Sequence, residues 1–293
     1  MSARRLIVSG DDFGAAPEVN AGIARAHHEG ILTSTSLMVA GAAVGDAVAI
    51  ARAAPRLSVG LHLVLAQDRP VLGAEQISRL VRRSDGRFGD QPVLSGLRYG
   101  WVWCSRVGRA QLRAEIAAQL ERFAATGLRL AHVDGHLNMH LHPMVLPMLC
   151  ELAGEFGIRV VRLTREEVVP ALRYDRRHAV RKAFEATIFR TLSALAAPRL
   201  ARAGIRTVDR IFGMHQTGHV DERYLLWLLP RLPAGVSELY CHPAERQAAG
   251  LARYQAGYDH AGEVAALTSP RVREVVRAEG IELVATADLP RLG

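Results

Sequence analysis

The chain has 293 residues, of which 49% are hydrophobic and 23% are charged, and its 37 basic and 29 acidic side chains give a net charge of +8. This composition is typical of a globular protein and excludes a disordered one. Three scattered cysteines argue against a disulfide framework, and the sequence contains neither a membrane-spanning stretch nor a signal-peptide core, so we expect a protein of the cytosol or of the inner face of a membrane.

Short apolar runs alternate with helical patterns along the chain. The predicted strands are residues 5–8, 35–39, 58–64, 128–133, 158–163, 207–212, 237–241 and 281–285. The predicted helices are residues 16–29, 43–53, 111–125, 142–156, 221–229 and 271–279. Such alternation indicates parallel strands with right-handed crossovers. Eight strands in this arrangement predict one α/β domain over residues 1–293, a (β/α) barrel that is either regular or distorted and open.

Two insertions interrupt the alternation. Residues 66–109 have weak periodicity and many turn residues, so we expect an excursion over one mouth of the barrel. Residues 173–206 carry nine basic and two acidic side chains, and large apolar residues recur among them at helical spacing: Val180, Phe184, Ile188, Leu192 and Leu195. This second insertion predicts either an amphipathic helix packed on the barrel or a helix at an anionic membrane surface. In the membrane case, Tyr99, Trp101 and Trp103 would add an interfacial aromatic patch.

Polar side chains stand where predicted strands end, which is where barrel enzymes place their chemistry. Asp11 and Asp12 close the first strand, His62 lies near the end of the third, and His242 closes the seventh. Each has a simpler interpretation. The aspartates suit a turn and a helix cap, and a lone histidine in a strand is usually a core residue.

Residues 132–142 form the densest cluster of potential ligands, with four histidines: His132, His136, His140 and His142. Imidazole and carboxylate groups are the ligands of zinc and similar divalent ions, and Asp134 lies between the histidines. A zincin helix is excluded because Val133 stands in place of the required glutamate and Gly135 interrupts the helical pattern. Glu263 is a further candidate, as a second-shell partner for a histidine.

Other catalytic classes are disfavoured. Cys241 adjoins His242, but neighbouring residues on a strand point to opposite faces. The sequence has no nucleophile elbow, no phosphate-binding Walker loop and no dinucleotide fingerprint. These absences argue against nucleophilic hydrolysis by serine or cysteine, nucleotide hydrolysis and hydride transfer.

Taken in order, the motifs resemble those of the YdjC-like carbohydrate deacetylases, over residues 5–285. The matching segments are residues 11–14, 33–36, 60–63, 132–140 and 241–244. The resemblance implies a barrel related to the polysaccharide deacetylases and a divalent-metal hydrolase that removes N-acetyl groups from amino sugars. By motif, it implies Asp12, His62 and His136 as metal ligands, Asp11 as general base and His242 as general acid.

The remaining candidates near this site, as second-shell or substrate-contacting residues, are Asp134, His132, His140 and Glu263. Two imidazoles and one carboxylate favour Zn²⁺ as the single ion, with Mg²⁺ as the alternative.

Residues 130–143, residues 267–273 and the basic insertion are similar to the hopanoid-biosynthesis-associated (HpnK-like) branch of this family. That similarity implies an N-acetylglucosaminyl hopanoid, a glycolipid held in a bilayer. Two alternatives remain open: a deacetylase of soluble chito-oligosaccharide sugars, and a non-catalytic barrel that binds carbohydrate or a membrane surface. A nucleic-acid partner is not expected, because nearly all the net charge lies in the insertion.

Overall fold

Seven parallel strands form the centre of the computed structural model, which describes residues 3–248 and 251–292. The strands are β1 (Arg4–Phe13), β2 (Ser34–Leu37), β3 (Ser58–Leu63), β4 (Val133–Gly135), β5 (Arg210–Phe212), β6 (Gly235–Cys241) and β7 (Glu282–Leu283). Their order in the sheet is β4-β3-β2-β1-β6-β5, and β7 pairs with the first half of β1. The parallel connections confirm the predicted α/β class.

The edges of this sheet are joined through residues 158–163. The prediction of a full strand there is wrong, because the segment pairs at only two isolated bridges, Val133 with Val161 and Val160 with Arg206. Arg206 leads directly into β5, so the bridges connect β4 to the opposite edge. The result is a curled, irregular barrel of the predicted (β/α) type.

The helices cover the outside of the curled sheet. They are α1 (Pro17–Glu29), α2 (Val44–Ala53), α3 (Pro92–Trp103), α4 (Arg106–Ala124), α5 (Leu146–Phe156), α6 (Val168–Tyr174), α7 (Ala179–Arg202), α8 (Glu222–Leu228), α9 (Ala252–Gln255), α10 (His260–Thr268) and α11 (Pro270–Ala278). Four predicted helices, α1, α2, α8 and α11, agree to within one residue at each end. Pro17 at the first turn and a buried stripe of Val19, Ile23 and Ala26 explain α1. None of the helices in the described residues is long and apolar enough to cross a membrane.

The fourth strand lies further along the chain than its prediction. Residues 128–132 are extended, and Ala131 N–H donates to Val59 O, but β4 itself is Val133–Gly135. It pairs with the polar end of β3, with His62 opposite Asp134 and Leu63 opposite Gly135. The shift matters for the site, because it places an imidazole and a carboxylate on adjacent strands.

The first insertion contains α3 and is tied to the barrel by buried hydrogen bonds. Tyr99 is buried and its hydroxyl donates to Leu65 O, whereas Trp101 is 80% exposed. Trp103 is partly buried against the core. The three-residue aromatic patch is therefore a wrong prediction, and one of its rings, Trp101, is turned fully outward.

The second insertion begins at the end of α6 and contains α7, whose buried face carries mostly small side chains. Its buried face includes Ala186, Ser193, Ala196 and Leu200. Four of the five large apolar residues of the predicted amphipathic pattern point outward instead: Val180 is 87% exposed, Phe184 66%, Ile188 40% and Leu195 50%, while Leu192 is partly buried. The expectation that this stripe packs on the barrel is wrong.

Candidate metal centre and active site

Three potential ligands from distant parts of the chain meet at the carboxyl end of the sheet. Asp12 lies at an irregularity near the end of β1, with its backbone in the left-handed region at φ 63°. His62 is on β3, and His136 follows β4. All three are buried. Asp12 Oδ1 lies 3.3 Å from His62 Nε2 and 3.1 Å from His136 Nδ1, so one small cation could contact all three side chains.

Hydrogen bonds on the far side of each imidazole fix which nitrogen faces Asp12. His62 Nδ1–H donates to Asp134 Oδ1 at 2.8 Å, with Ser36 Oγ at 3.0 Å from the same nitrogen. His136 Nε2–H donates to Gln67 Oε1 at 2.9 Å. With these partners, a neutral His62 offers the lone pair of Nε2 and a neutral His136 that of Nδ1 toward Asp12, which is the arrangement that metal-binding histidines require.

Asp12 is braced in the same way and is anionic. Its Oδ2 accepts a 2.7 Å hydrogen bond from Gln255 Nε2, which leaves Oδ1 to face the imidazoles. Burial alone would raise the pKa of Asp12, but the imidazoles of His136 and His62 lower it well below its usual value. A two-imidazole, one-carboxylate donor set with outer partners on every ligand fits a divalent ion, and its softness fits zinc better than magnesium.

A buried arginine, Arg162, sits beside this cluster. Its guanidinium donates to both oxygens of Asp11, at 2.6 and 2.8 Å, and lies 2.8 Å from Asp134 Oδ2. It also contacts Glu238 at 2.9 Å and Ser9 at 3.2 Å. These carboxylates raise the pKa of Arg162 well above its usual value despite burial, so the cation is permanent.

The guanidinium distinguishes between two possible ion positions. Asp11, His62 and Asp134 also converge closely enough to hold an ion. In that second cluster, however, Arg162 already pairs with both carboxylates, since one guanidinium nitrogen contacts Asp11 and Asp134 together. Among the described residues no arginine or lysine contacts Asp12, so the Asp12 cluster is the candidate metal centre.

His242 lies near these groups and is held by its backbone. Glu263 Oε2 accepts its backbone N–H at 2.5 Å, and Glu263 Oε1 accepts that of Val220 at 3.0 Å. The ring of Tyr258 packs edge-on against the imidazole, 5.3 Å between centroids. Burial lowers the pKa of His242, an effect that nearby Asp12 and Asp11 partly offset. Burial raises the pKa of Glu263 to about 7, although these two N–H groups oppose the increase.

The other two histidine candidates lie behind the site. His132 Nδ1 is 3.1 Å from Thr286 Oγ1, and its Nε2 is 3.7 Å from Asp134. His140 Nε2–H donates to the backbone oxygen of Arg162 at 2.8 Å, and burial lowers the pKa of His140 to about 4. Both residues therefore contact the partners of the central side chains and not the cluster formed by Asp12.

Sequence reasoning missed three residues of the site. Arg162 left one signal, a charge inside the apolar run of residues 160–163. Gln67 and Gln255 left none, because Gln67 lies in a loop and Gln255 ends the four-residue helix α9, which is too short for a periodic pattern. The structure joins these segments: Gln67 Nε2–H donates to Asp90 O at 3.2 Å, and Tyr254 O–H donates to Asp90 Oδ1 at 2.8 Å.

Comparisons with known proteins identify the family of the chain and several similar proteins. Residues 5–278 match the family described as YdjC-like protein. The chain is 32% identical to a carbohydrate deacetylase of Mus musculus, covering 97% of this chain and 94% of the mouse protein. It is 29% identical to one of Geobacillus stearothermophilus, covering 99% of each. Among solved structures, it is similar to a putative cellobiose-phosphate cleavage protein of Enterococcus faecalis, with a TM-score of 0.76, 27% identity and coverage of 98% and 99%.

Proposed function

The chain belongs to the YdjC-like family, and on that premise we propose that it is a carbohydrate deacetylase that hydrolyses the acetamido group of an N-acetyl amino sugar. The products are acetate and the free amine. One observation carries the proposal: a buried Asp-His-His cluster lies beside a carboxylate, Asp11, and an imidazole, His242. The names of full-length relatives in mouse and Geobacillus support the reaction class.

Asp12, His62 and His136 would hold the divalent ion. When bound, the ion would polarise the acetyl carbonyl and make a water molecule more acidic. Asp11 then accepts the proton of the attacking water, and Arg162 keeps its carboxylate oriented by two parallel hydrogen bonds. His242 donates a proton to the nitrogen as the carbon–nitrogen bond breaks.

The proton needed by the leaving amine passes through a histidine that is mostly neutral at rest. Burial lowers the pKa of His242, so its protonated form is a minority at neutral pH and gives up its proton more readily than a free imidazolium. The buried Nδ1 of this ring has no partner among the described residues. Asp11 and His242 thus divide the two roles, with Asp11 as the general base and His242 as the general acid.

Acetate release tests the reaction and its dependence on metal. The purified protein should deacetylate an N-acetylglucosamine oligosaccharide, and a chelator or Asp11→Asn should lower kcat by at least about 10³-fold. Asp85→Asn, at an exposed carboxylate, is the matched control and should retain full activity. Activity that survives both the chelator and Asp11→Asn would refute the mechanism.

Metal analysis of the purified protein, followed by reconstitution with Zn²⁺ or Mg²⁺, identifies the ion, which we propose is Zn²⁺.

We further propose that the amino sugar is lipid-linked, as in an N-acetylglucosaminyl hopanoid, and that α7 contacts the inner face of an anionic membrane. The outward stripe of Val180, Phe184 and Ile188 supports this. Eight exposed arginines flank it between residues 173 and 206, against Asp175 and Glu185, which are already paired with basic side chains. An apolar stripe bordered by arginines is the pattern of an interfacial helix.

Vesicle sedimentation tests the membrane contact. The protein should bind vesicles rich in phosphatidylglycerol, and the double variant Phe184→Ser/Ile188→Ser should bind at least about tenfold more weakly while keeping its melting temperature. Thr187→Ser, on the same exposed face, serves as control. Equal binding by all three proteins would leave soluble chito-oligosaccharides as the substrate. A binding-only barrel is the remaining case, and it would release no acetate from either kind of sugar.

A further inference from the structure

Gln255 touches the ligand cluster with one polar atom and leaves the other without a partner. It is only 4% exposed, and its Nε2 donates to Asp12 Oδ2 at 2.7 Å. Its Oε1 is buried and has no hydrogen-bond partner among the residues that the structure describes. A buried carbonyl without a donor is costly, and such an atom next to a reaction centre points to a missing ligand.

The orientation of this amide is fixed. Exchanging its oxygen and nitrogen would place the amide carbonyl oxygen against Oδ2 of Asp12, where two acceptors would face each other in place of the present N–H···O hydrogen bond. Oε1 is therefore the amide atom that does not touch Asp12, but it belongs to the same amide group as Nε2, which does. The unfilled acceptor lies beside the ligand cluster.

Gln67 provides the contrast. It also braces a ligand, since its Oε1 accepts from His136 at 2.9 Å, but its Nε2 donates to Asp90 O at 3.2 Å. Both polar atoms of Gln67 are therefore satisfied within the protein. Bracing a ligand does not by itself leave an unpartnered acceptor, so the free Oε1 of Gln255 needs a separate explanation.

We propose that Gln255 Oε1 accepts a hydrogen bond from the N–H of the substrate's scissile acetamide, and that this contact selects N-acetyl over O-acetyl groups. The inference rests on the proposed deacetylase function and adds the determinant of its substrate class. An acetate ester has an oxygen in place of this N–H. Against an ester, Oε1 would stay unpaired and would face another acceptor, the kind of mismatch that gives strong discrimination.

Two matched variants separate this contact from the bracing of ligands. Gln255→Met and Gln67→Met each remove one outer partner and keep a similar side-chain length. The measurements are kcat/KM for an N-acetylglucosamine oligosaccharide and for its 2-O-acetyl glucose counterpart, with bound metal determined in parallel. Gln255→Met should lower the amide-to-ester ratio by about 10- to 100-fold, whereas Gln67→Met should weaken metal retention and leave the ratio unchanged.

A binding measurement gives a readout independent of turnover. In an Asp11→Asn background, Gln255→Met should raise the Kd of the N-acetyl sugar about tenfold by calorimetry and leave that of the O-acetyl sugar unchanged. If Gln255→Met lowered kcat/KM equally for the amide and the ester, Oε1 would serve only the attacking water. If the amide-to-ester ratio were the same in Gln255→Met and Gln67→Met, Gln255 would only brace Asp12. Either result overturns the inference. If the unmodified protein releases acetate from neither sugar, the proposed function fails instead.

Discussion

Arg162 is the residue that connects the parts of the active site. It is 2% exposed and contacts three carboxylates, one of which, Asp134, also holds His62. Its guanidinium lies 4.8 Å from the centre of the Tyr240 ring. A planar cation with donors in several directions can orient Asp11 and Asp134 together, which a point charge cannot do.

We therefore predict that Arg162→Lys lowers kcat/KM by about 100-fold although the charge is kept, because a lysine cannot hold both oxygens of Asp11 in one plane. Steady-state kinetics with a melting curve of each protein is the measurement. Arg159→Lys, on the exposed side of the same segment, should behave like the parent. A folded Arg162→Lys protein with unchanged kinetics would show that Asp11 needs no arginine.

The sequence was informative about this site where side chains stand directly at strand ends. Asp12, His62 and His136 were chosen from motifs, and the structure brings them together. Gln255 could not be found in this way, because its place at the site depends on how the segment after β6 folds back over β1. Outer partners are set by tertiary packing, and one sequence carries no periodic signal for that.

At the scale of elements, helix α4 shows how an irregular insertion is anchored. Gln119 pairs with both backbone groups of Val64, accepting its N–H at 2.9 Å and donating to its C=O at 2.7 Å. Four residues earlier on α4, Glu115 accepts the N–H groups of Val71 and Leu72 at 2.8 and 3.0 Å. One helix thus satisfies the buried backbone where the chain leaves β3.

Gln119→Leu should consequently lower the free energy of unfolding by about 2–4 kcal/mol, because it leaves a buried N–H and a buried C=O of Val64 without partners. Urea denaturation followed by circular dichroism measures the change. Glu121→Ala, exposed on the same helix, should change stability by less than about 0.5 kcal/mol. A loss no larger than that of the control would mean that water satisfies Val64 in solution.

Helices α3 and α7 show why apolar patterns were misleading in the insertions. Leu94, Leu97 and Trp101 on α3 are exposed, so this helix lacks the polar outer face that marks an amphipathic helix in a sequence. In α7 the pattern was recognised, but the sequence left open whether the stripe packs on the barrel or faces outward, and the structure turns most of it outward. Small side chains such as Ala186 and Ala196 allow close packing, while the larger residues remain available for a partner.

For the whole molecule, the pH dependence of folding is set more by the buried ionisable groups than by the net charge. Asp12 and Asp134 lie in ion pairs that lower their pKa values well below the usual range. Glu166 and Glu263 are buried and accept hydrogen bonds from backbone N–H groups, and burial raises the pKa of each to about 7. Their protonation therefore couples folding to pH within the physiological range.

The sign of this coupling is testable at Glu263. Its pKa is about 7 in the folded protein and about 4.5 when exposed, so the folded state binds the proton more tightly. The stability that this proton confers is complete below about pH 4.5 and is lost as pH rises through 7, a change of about 3 kcal/mol. Glu263→Gln removes this dependence and adds a cost that does not vary with pH, because an amide cannot accept both N–H groups.

Urea denaturation at several pH values between 4.5 and 8, in the presence of a chelator, isolates the effect from metal release. The free energy of unfolding of the parent minus that of Glu263→Gln should fall as pH rises from 4.5 to about 7 and should level off above that. The same difference for Glu155→Gln, at an exposed position on α5, should stay constant. A flat difference for Glu263→Gln would place its folded pKa near the unfolded value, and the carboxylate under His242 would then be ionised at every pH at which the enzyme works.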